Sequence, residues 1–397
     1  MAAKKLKVLV VGAGAFGGWT ALHLLRRGAA VTLVDAWEPG NLRASSGGET
    51  RIIRGTYGPD DLYTQMSALA MQLWRENERK WKKKLLHPIG VLFMAAKGED
   101  AFELGSIACL EKAKIRHERL GLREMRRRWP QINFEGIDWG LFEPKSGYLM
   151  ARAACQAVVE GFVAEGGLWR QAAVLAEGLE TDLKQGVELL DGSRIRADRY
   201  VFACGPWMGS LFPETIGERI LATKQDLFFF GTPAGDARFS QENLPVWADH
   251  RGRFMYGIPG HGSRAFKVAD DTRGPKFDPT SGERVVSEER LRLAREYVEF
   301  RFPGMKGAPL IKGRVCQYEQ TADGDFVVDR HPACSGAWLV GGGSGHGFKH
   351  GPALGEIVAK LVMEDGEVNP RFRLKRFGEG SKANLESQRS LRIREVR

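Results

Sequence analysis

The sequence predicts an α/β protein made of two units that interleave along the chain. Three observations predict it. A glycine-rich turn joins two short apolar runs near the N-terminus. Amphipathic stretches of helical length alternate with apolar stretches of strand length through the first half and again near the end. Between about 215 and 315 the texture changes to short strands broken by Pro and Gly. A length of 397 residues fits two or three domains at roughly 150 residues each.

The elements follow in order. Lys7–Val11 reads as a buried strand, Trp19–Arg27 as a helix carrying Leu22, Leu24 and Leu25, and Val31–Val34 as a second strand closed by Asp35. Strand, helix, strand in that order make a right-handed crossover onto a parallel neighbour. Residues 63–84 read as a long amphipathic helix, 90–94 as a strand, and 99–129 as two helices with a polar link. A helix over 151–165 leads to strand-like segments at 167–174, 187–190 and 199–203. In the β-rich stretch, 228–231, 254–258 and 265–268 are strands, and a helix over 288–301 stops at Phe302-Pro303-Gly304. Strand 337–343, a glycine loop and helix 347–363 end the structured part. The expected partition is 1–85, 150–215 and 316–377 for one unit, 86–149 and 216–315 for the other, and a polar basic tail over 378–397.

Composition narrows the class. Apolar residues at 43% and charged residues at 27% describe a globular protein rather than a disordered one. Five Cys, with no CxxC and no Cys/His cluster at ligand spacing, argue against a disulfide scaffold and against a metal site. That usage fits a reducing compartment, and cytoplasmic placement is expected. No apolar run reaches the ~18 residues of a membrane span, and MAAKKLKVLVVG runs into a strand rather than a signal peptide. The net charge is +10, but residues 371–397 hold nine Lys/Arg against three Glu. The remaining basic clusters lie on solvated helix faces, and no basic stripe interleaved with aromatics is present, so no nucleic-acid partner is expected.

Gly12-Ala13-Gly14-Ala15-Phe16-Gly17 is G-x-G-x-x-G after a strand and opening a helix. Gly12 permits the tight turn, Gly14 admits a pyrophosphate to the backbone, and Gly17 lets helix and strand pack closely. Asp35 ends the second strand, where an acid accepts from ribose hydroxyls. The motif indicates a dinucleotide and does not separate NAD from FAD. Ala44 to Arg54 is small and polar, then basic; Ser45 and Thr50 bring hydroxyls, and Arg51 and Arg54 lie three apart. The same stretch also reads as an ordinary Ser/Gly loop with exposed arginines. Gly341 to Gly347 holds five glycines in seven residues before a helix, which suits a flat ring lying on backbone. His346 in that loop also reads as a plain hydrogen-bonding residue.

These segments together carry a resemblance. GAGAFG with Asp35, then SSGGETRIIR, Cys316-Gln317-Tyr318, Phe326 to Pro332, and GGGSGHGFK resemble, in order and spacing, the monomeric sarcosine oxidase family. N-methyltryptophan, pipecolate and fructosyl-amino-acid oxidases are relatives within the D-amino-acid-oxidase-like flavoproteins. The resemblance covers about residues 5 to 375. It implies a Rossmann-type FAD-binding domain with an interleaved mixed β-sheet substrate domain, and FAD attached covalently through Cys316. Cofactor contacts are implied at Gly12, Gly14, Ala15, Phe16, Gly17, Asp35, Ser45, Thr50, Arg51, Val174, Gly205, Gly343, Gly345, His346, Gly347, Phe348 and Lys349. Arg54 and Lys349 match the pair that holds a substrate carboxylate, Tyr256 and Tyr318 the aromatic walls, Arg51 the arginine over the flavin, and Lys267 the lysine that activates dioxygen.

Two departures qualify the substrate. Sarcosine oxidases carry a histidine pair where this chain has Ser46 and Gly47, and a histidine where it has Asp271. Fructosyl-amine oxidases place an acid at the latter position, so Asp271 joins the substrate residues, although Asp270 and Asp271 also read as a solvated turn. The resemblance thus implies a monomeric amine oxidase that acts on a secondary amino acid and reduces dioxygen to hydrogen peroxide. The alternatives are a fructosyl-amino-acid oxidase and a flavin amine dehydrogenase with another electron acceptor.

Overall fold

The computed structural model describes residues 5–262 and 264–378; most of the tail expected over 378–397 lies outside them. Strand β1 (Lys7–Val11), helix α1 (Ala15–Arg26) and strand β2 (Ala30–Asp35) form the N-terminal crossover. The helix opens four residues earlier than the apolar spacing predicts, directly off the glycine turn. Gly12 has φ +103°, and a Cβ there would lie 2.3 Å from the Ala203 carbonyl oxygen. A Cβ on Gly17 would lie 1.8 Å from the Gly12 carbonyl oxygen. Only glycine allows this chain path at both positions.

β1 pairs in parallel with β2 and with Arg199–Phe202, at the centre of a six-stranded sheet. Leu168–Gln171 lies outside β2, Cys334–Gly341 outside Arg199–Phe202, and Val327–His331 closes that edge antiparallel. Helix α1 packs against the helices Ala151–Ala164 and Gly351–Glu364. Trp19 of α1 is buried against Trp74 and Trp81, with ring centroids 4.9 and 5.6 Å apart.

The second large sheet has eight strands, in the order Leu310–Gln320, Leu221–Phe230, Phe266–Asp270, Met255–Ile258, Val246–Asp249, Val91–Ala96, Ile137–Glu143, Glu118–Gly121. It is mixed, because Val246–Asp249 runs parallel to Val91–Ala96 while the other pairs are antiparallel. The helix Glu288–Arg301 covers it; Ser287 caps it, and it ends at Phe302, where the sequence predicts the stop. Arg301 is buried with Asp249 at 2.6 Å, and Tyr297 donates to the same carboxylate oxygen at 2.9 Å. A small sheet of Thr50–Ile53, Gly147–Met150 and Leu86–His87 completes the β structure.

The polar link expected between two helices over 99–129 contains a strand instead. Helices Ala101–Lys112 and Leu122–Arg128 flank Glu118–Gly121, which buries Leu120 alone and is too short to show a period. The strand expected at 228–231 is the end of the longer Leu221–Phe230, extended by its ladder with Leu310–Gln320. The latter strand runs through the boundary expected at 316. The last helix begins at Gly351, after a single 3₁₀ turn over Phe348–His350. Among the described residues no helix is long and apolar enough to cross a membrane.

Candidate active site

Two adjoining cavities lie where the two large sheets meet. The larger, about 350 Å³, opens over the C-terminal ends of β1 and β2. Ligands collect there in open α/β sheets because the chain turns away on both sides. The smaller, about 60 Å³, lies beside the eight-stranded sheet, and Arg51, Tyr318, Gly345 and Phe348 line both.

The strand Leu310–Gln320 separates them by its pleat. Gln317 and Glu319 line the larger cavity, Cys316 lines the smaller, and the Tyr318 ring stands between. Gly12, Gly14, Ala15, Phe16, Asp35, Ser45, Val174, Gly205, Gly343 and Gly347 all line the larger cavity, as the sequence implies. Asp35 also braces the turn itself: its Oδ2 accepts from the Ala13 N–H at 2.7 Å and its Oδ1 from the Trp37 N–H at 3.0 Å. Burial raises its carboxyl above the ordinary range, against those bonds.

Other expected cofactor residues stand elsewhere. Cys316, His346 and Lys349 line only the smaller cavity. Gly17 and Thr50 line neither. Gly17 acts through the close approach described above. The Thr50 carbonyl accepts from Lys267 Nζ at 3.1 Å and from Arg51 Nη1 at 2.9 Å, so this residue positions two cations through its backbone.

The smaller cavity gathers every substrate and catalytic residue the resemblance implies: Arg51, Arg54, Tyr256, Lys267, Asp271, Tyr318 and Lys349. Arg51 Nη2 donates to the carbonyls of Ser45 and Gly47, at 2.9 and 2.6 Å, and lies 3.3 Å from the Cys316 sulfur. Arg54 and Lys349 are each 4% exposed. Their charged ends share one aromatic ring: the Arg54 guanidinium lies 4.4 Å from the Tyr57 ring centre and Lys349 Nζ 5.1 Å. Lys349 Nζ also donates to the His346 carbonyl at 2.8 Å. Tyr318 donates to Asp271 at 3.1 Å, and its hydroxyl is 3.4 Å from that of Tyr256. Burial pushes the Tyr256 phenol up to about 12. Lys267 is 3% exposed; burial first, and the Arg51 charge second, push its ammonium down to about 7.

Sequence reasoning missed Tyr57, His350 and Glu319. Tyr57 joins His346 Nδ1 at 3.2 Å to the buried His350 Nε2 at 2.7 Å, and packs under both substrate-side cations. Its sole signal is a lone aromatic after the basic RIIRGT stretch. Glu319 is an isolated acid three residues after Cys316. Burial pushes its carboxyl up to about 7.

The larger cavity fits a dinucleotide with a flat ring. Glycine backbone lines it where no Cβ fits: at Gly345 a Cβ would lie 2.6 Å from the Tyr318 ring, and at Gly347 2.7 Å from Phe16. Two buried polar atoms beside it, Ser45 Oγ and Glu319 Oε2, have no hydrogen-bond partner among the described residues.

The family described as FAD dependent oxidoreductase matches residues 7–361. The chain is 30% identical to a monomeric sarcosine oxidase of a Bacillus species, across 90% of this chain and 92% of that protein. It is 27% identical to an N-methyl-L-tryptophan oxidase of Escherichia coli, across 94% and 100%. Among solved structures, a modified fructosyl peptide oxidase from Aspergillus nidulans superposes with TM-score 0.80 at 24% identity, covering 96% of this chain and 95% of that one. An L-proline dehydrogenase from P. horikoshii gives 0.79 at 20%, covering 96% and 99%. Both likenesses speak for the fold. The glycine turn with Asp35, the cavity above it and the near full-length match lead to one assignment: the chain belongs to the FAD dependent oxidoreductase family, among the relatives of monomeric sarcosine oxidase and N-methyl-L-tryptophan oxidase.

Proposed function

We propose that this protein is an amine oxidase acting on a secondary amino acid, N-alkyl or cyclic, in a small cavity against its FAD. One observation carries the reading: two buried cations, Arg54 and Lys349, stand against the same Tyr57 ring and line a cavity of about 60 Å³ that shares walls with the larger one. Buried cations at one small cavity suit a carboxylate, which a guanidinium fork and a point cation hold together. When bound, FAD would supply the acceptor for a hydride from the carbon beside the amine nitrogen and the route of the two electrons to dioxygen, with hydrogen peroxide as product; hydrolysis of the imine would give aldehyde and amine.

The protein's own groups orient these partners. Arg54 and Lys349 fix the carboxylate, so that the amine side of the substrate points toward the wall shared with the larger cavity. Tyr256 and Tyr318 close the sides, and with phenols that stay protonated they offer hydroxyls to the substrate. Lys267, held by the Thr50 carbonyl, supplies the positive charge that electron transfer to dioxygen needs. Cys316, beside the Arg51 guanidinium, is placed to tether the cofactor. The two large sheets serve as cofactor and substrate domains, in a protein that works as a cytoplasmic monomer.

Asp271 favours a second reading, a fructosyl amino acid as substrate. Its carboxylate lines the smaller cavity next to the Tyr318 hydroxyl, where an acid suits a polyol or a second ammonium. A peroxide assay over N-methyl, cyclic and fructosyl amino acids tests both. Turnover of N-methyl or cyclic substrates alone supports the first reading, and turnover of fructosyl substrates alone supports the second. Fast turnover with an artificial acceptor and none with dioxygen would make the protein a dehydrogenase.

A further inference from the structure

Glu319 is a buried carboxyl that the catalytic reading leaves unused. It lies on the pleat opposite Cys316 and Tyr318, facing the larger cavity. The glycine turn packs against its carboxyl: a Cβ on Gly343 would lie 2.9 Å from Oε1. Its other oxygen, Oε2, is buried and has no partner among the described residues. Glycines flank Oε2: a Cβ on Gly341 would lie 3.4 Å from it and one on Gly205 4.0 Å. One oxygen thus faces the glycine turn, and the other is left unsatisfied on the wall of a ligand cavity. A buried polar atom in that state costs free energy unless a ligand completes it.

The chemistry of FAD restricts what that ligand atom is. In its ionised form Glu319 only accepts, so phosphates repel it and the ring carbonyls, themselves acceptors, offer it nothing. The donors are the adenine amine, the sugar hydroxyls and the ring N3–H. The adenosine end would lie by Asp35, the acid at the end of β2. Glu319 lies next to Tyr318, which the two cavities share, and contacts the Gly341–Gly343 turn on the ring side. Between ring and phosphates FAD carries its hydroxylated ribityl chain. We propose that Glu319 is a cofactor-positioning residue whose free oxygen accepts a hydrogen bond from a ribityl hydroxyl of FAD. The inference rests on FAD filling the larger cavity.

The test uses the full-length chain with Cys316→Ser, so that binding is reversible, and reads Kd from the quenching of flavin fluorescence. FAD is compared with its 2′-, 3′- and 4′-deoxyribityl analogues, each lacking one hydroxyl. Glu319→Ala is expected to weaken FAD binding about 10- to 100-fold, the range for losing one hydrogen bond to a charged group. One deoxy analogue should bind the Glu319 protein about as weakly as FAD binds the variant, and should itself be indifferent to the substitution. Glu319→Gln, which keeps shape and volume, gives the same comparison with a smaller factor if alanine prevents folding. Equal weakening of FAD and all three analogues would make Glu319 a loop brace and overturn the proposal, as would unchanged FAD binding. Failure of the Glu319 protein itself to bind FAD would overturn the cofactor assignment of the cavity, and this contact with it.

Discussion

Lys267 combines a burial cost with a chemical use. Oxidation of the amine needs orientation; reduction of dioxygen builds negative charge, which a nearby ammonium stabilises. Lys267→Met should slow flavin reoxidation by about 10²–10³-fold and leave anaerobic reduction by substrate nearly unchanged, as stopped-flow absorbance of each half-reaction would show. Reoxidation at the original rate would remove Lys267 from the dioxygen site. The same residue gives a pH signature in the FAD-free chain. Its folded-state pKa is about 7, below the ordinary lysine value, so between pH 7 and about 10 the unfolded chain holds a proton that the folded chain lacks. Stability relative to Lys267→Met therefore rises with pH through that window, by a few kcal/mol at most. Chemical denaturation of both forms at pH 7 and 9.5 reads the difference, and a difference that shrinks with pH contradicts the assigned burial. At the substrate end, Lys349→Met should raise KM for carboxylated amines by about 10- to 100-fold, the scale of one charge-assisted contact. Decarboxylated analogues should lose far less, and equal losses would remove the carboxylate from this cavity. Cys316→Ser should release yellow flavin into the supernatant on acid precipitation, where the parent keeps it in the pellet; free flavin from both would rule out the thioether.

At the scale of elements, the glycine turn is the most demanding piece of chain. Gly17→Ala brings a Cβ to within 1.8 Å of the Gly12 carbonyl, a backbone clash that no side-chain rotation relieves. It should cost about 1–3 kcal/mol in urea denaturation of the FAD-free chain and weaken FAD retention with it. Stability equal to the parent would mean that α1 shifts freely on β1. This turn was legible in the sequence because its signals are local: glycine spacing, two flanking apolar runs and an acid at a fixed distance. The helix 288–301 was legible for the same reason, through its Phe302-Pro303-Gly304 stop; its Ser287 cap is a finding of the structure. Glu118–Gly121 was not, because one buried leucine carries no period, and its place is set by pairing with Ile137–Glu143. The length of Leu310–Gln320 was hidden too, since three exposed residues, 311 to 313, mask its alternation until the ladder with Leu221–Phe230 is known. Arg54 and Lys349 lie 295 positions apart, and only the resemblance brought them together in advance. Glu319 escaped because an acid one place beyond Tyr318 has no local meaning; its meaning is the cavity it faces.

The whole molecule is arranged around the seam that holds the larger cavity. One wall comes from the six-stranded sheet, through the turns after β1, β2 and Arg199–Phe202. The other comes from Gln317 to Glu319, on the edge strand of the eight-stranded sheet. The loop that holds Ser45 and Ser46 crosses between them, and Trp37 and Trp207, with ring centroids 5.1 Å apart, also line it. One apolar core joins the two sheets, with Val10 and Val201 of the six-stranded sheet and Phe93 and Val246 of the eight-stranded sheet in the same cluster, and further clusters cover the outer faces, so the scaffold is cohesive without the cofactor. The seam is different: part of its interior is ligand space of about 350 Å³. A ligand that binds only the folded chain stabilises it by mass action, about 2.7 kcal/mol at a hundredfold excess over Kd. At the few degrees per kcal/mol typical of large domains, FAD added to the reversible Cys316→Ser protein should raise Tm by about 5–10 °C. Hydrogen exchange should locate the gain. The loops at 44–50, 204–207 and 343–348 should become protected on adding FAD, while the central strands of both sheets exchange as before. Quenching of Trp37 and Trp207 fluorescence gives binding independently of stability. If that quenching is complete while Tm and loop exchange stay unchanged, the two sheets are locked together by protein contacts alone, and the cofactor is a passenger in a seam already closed.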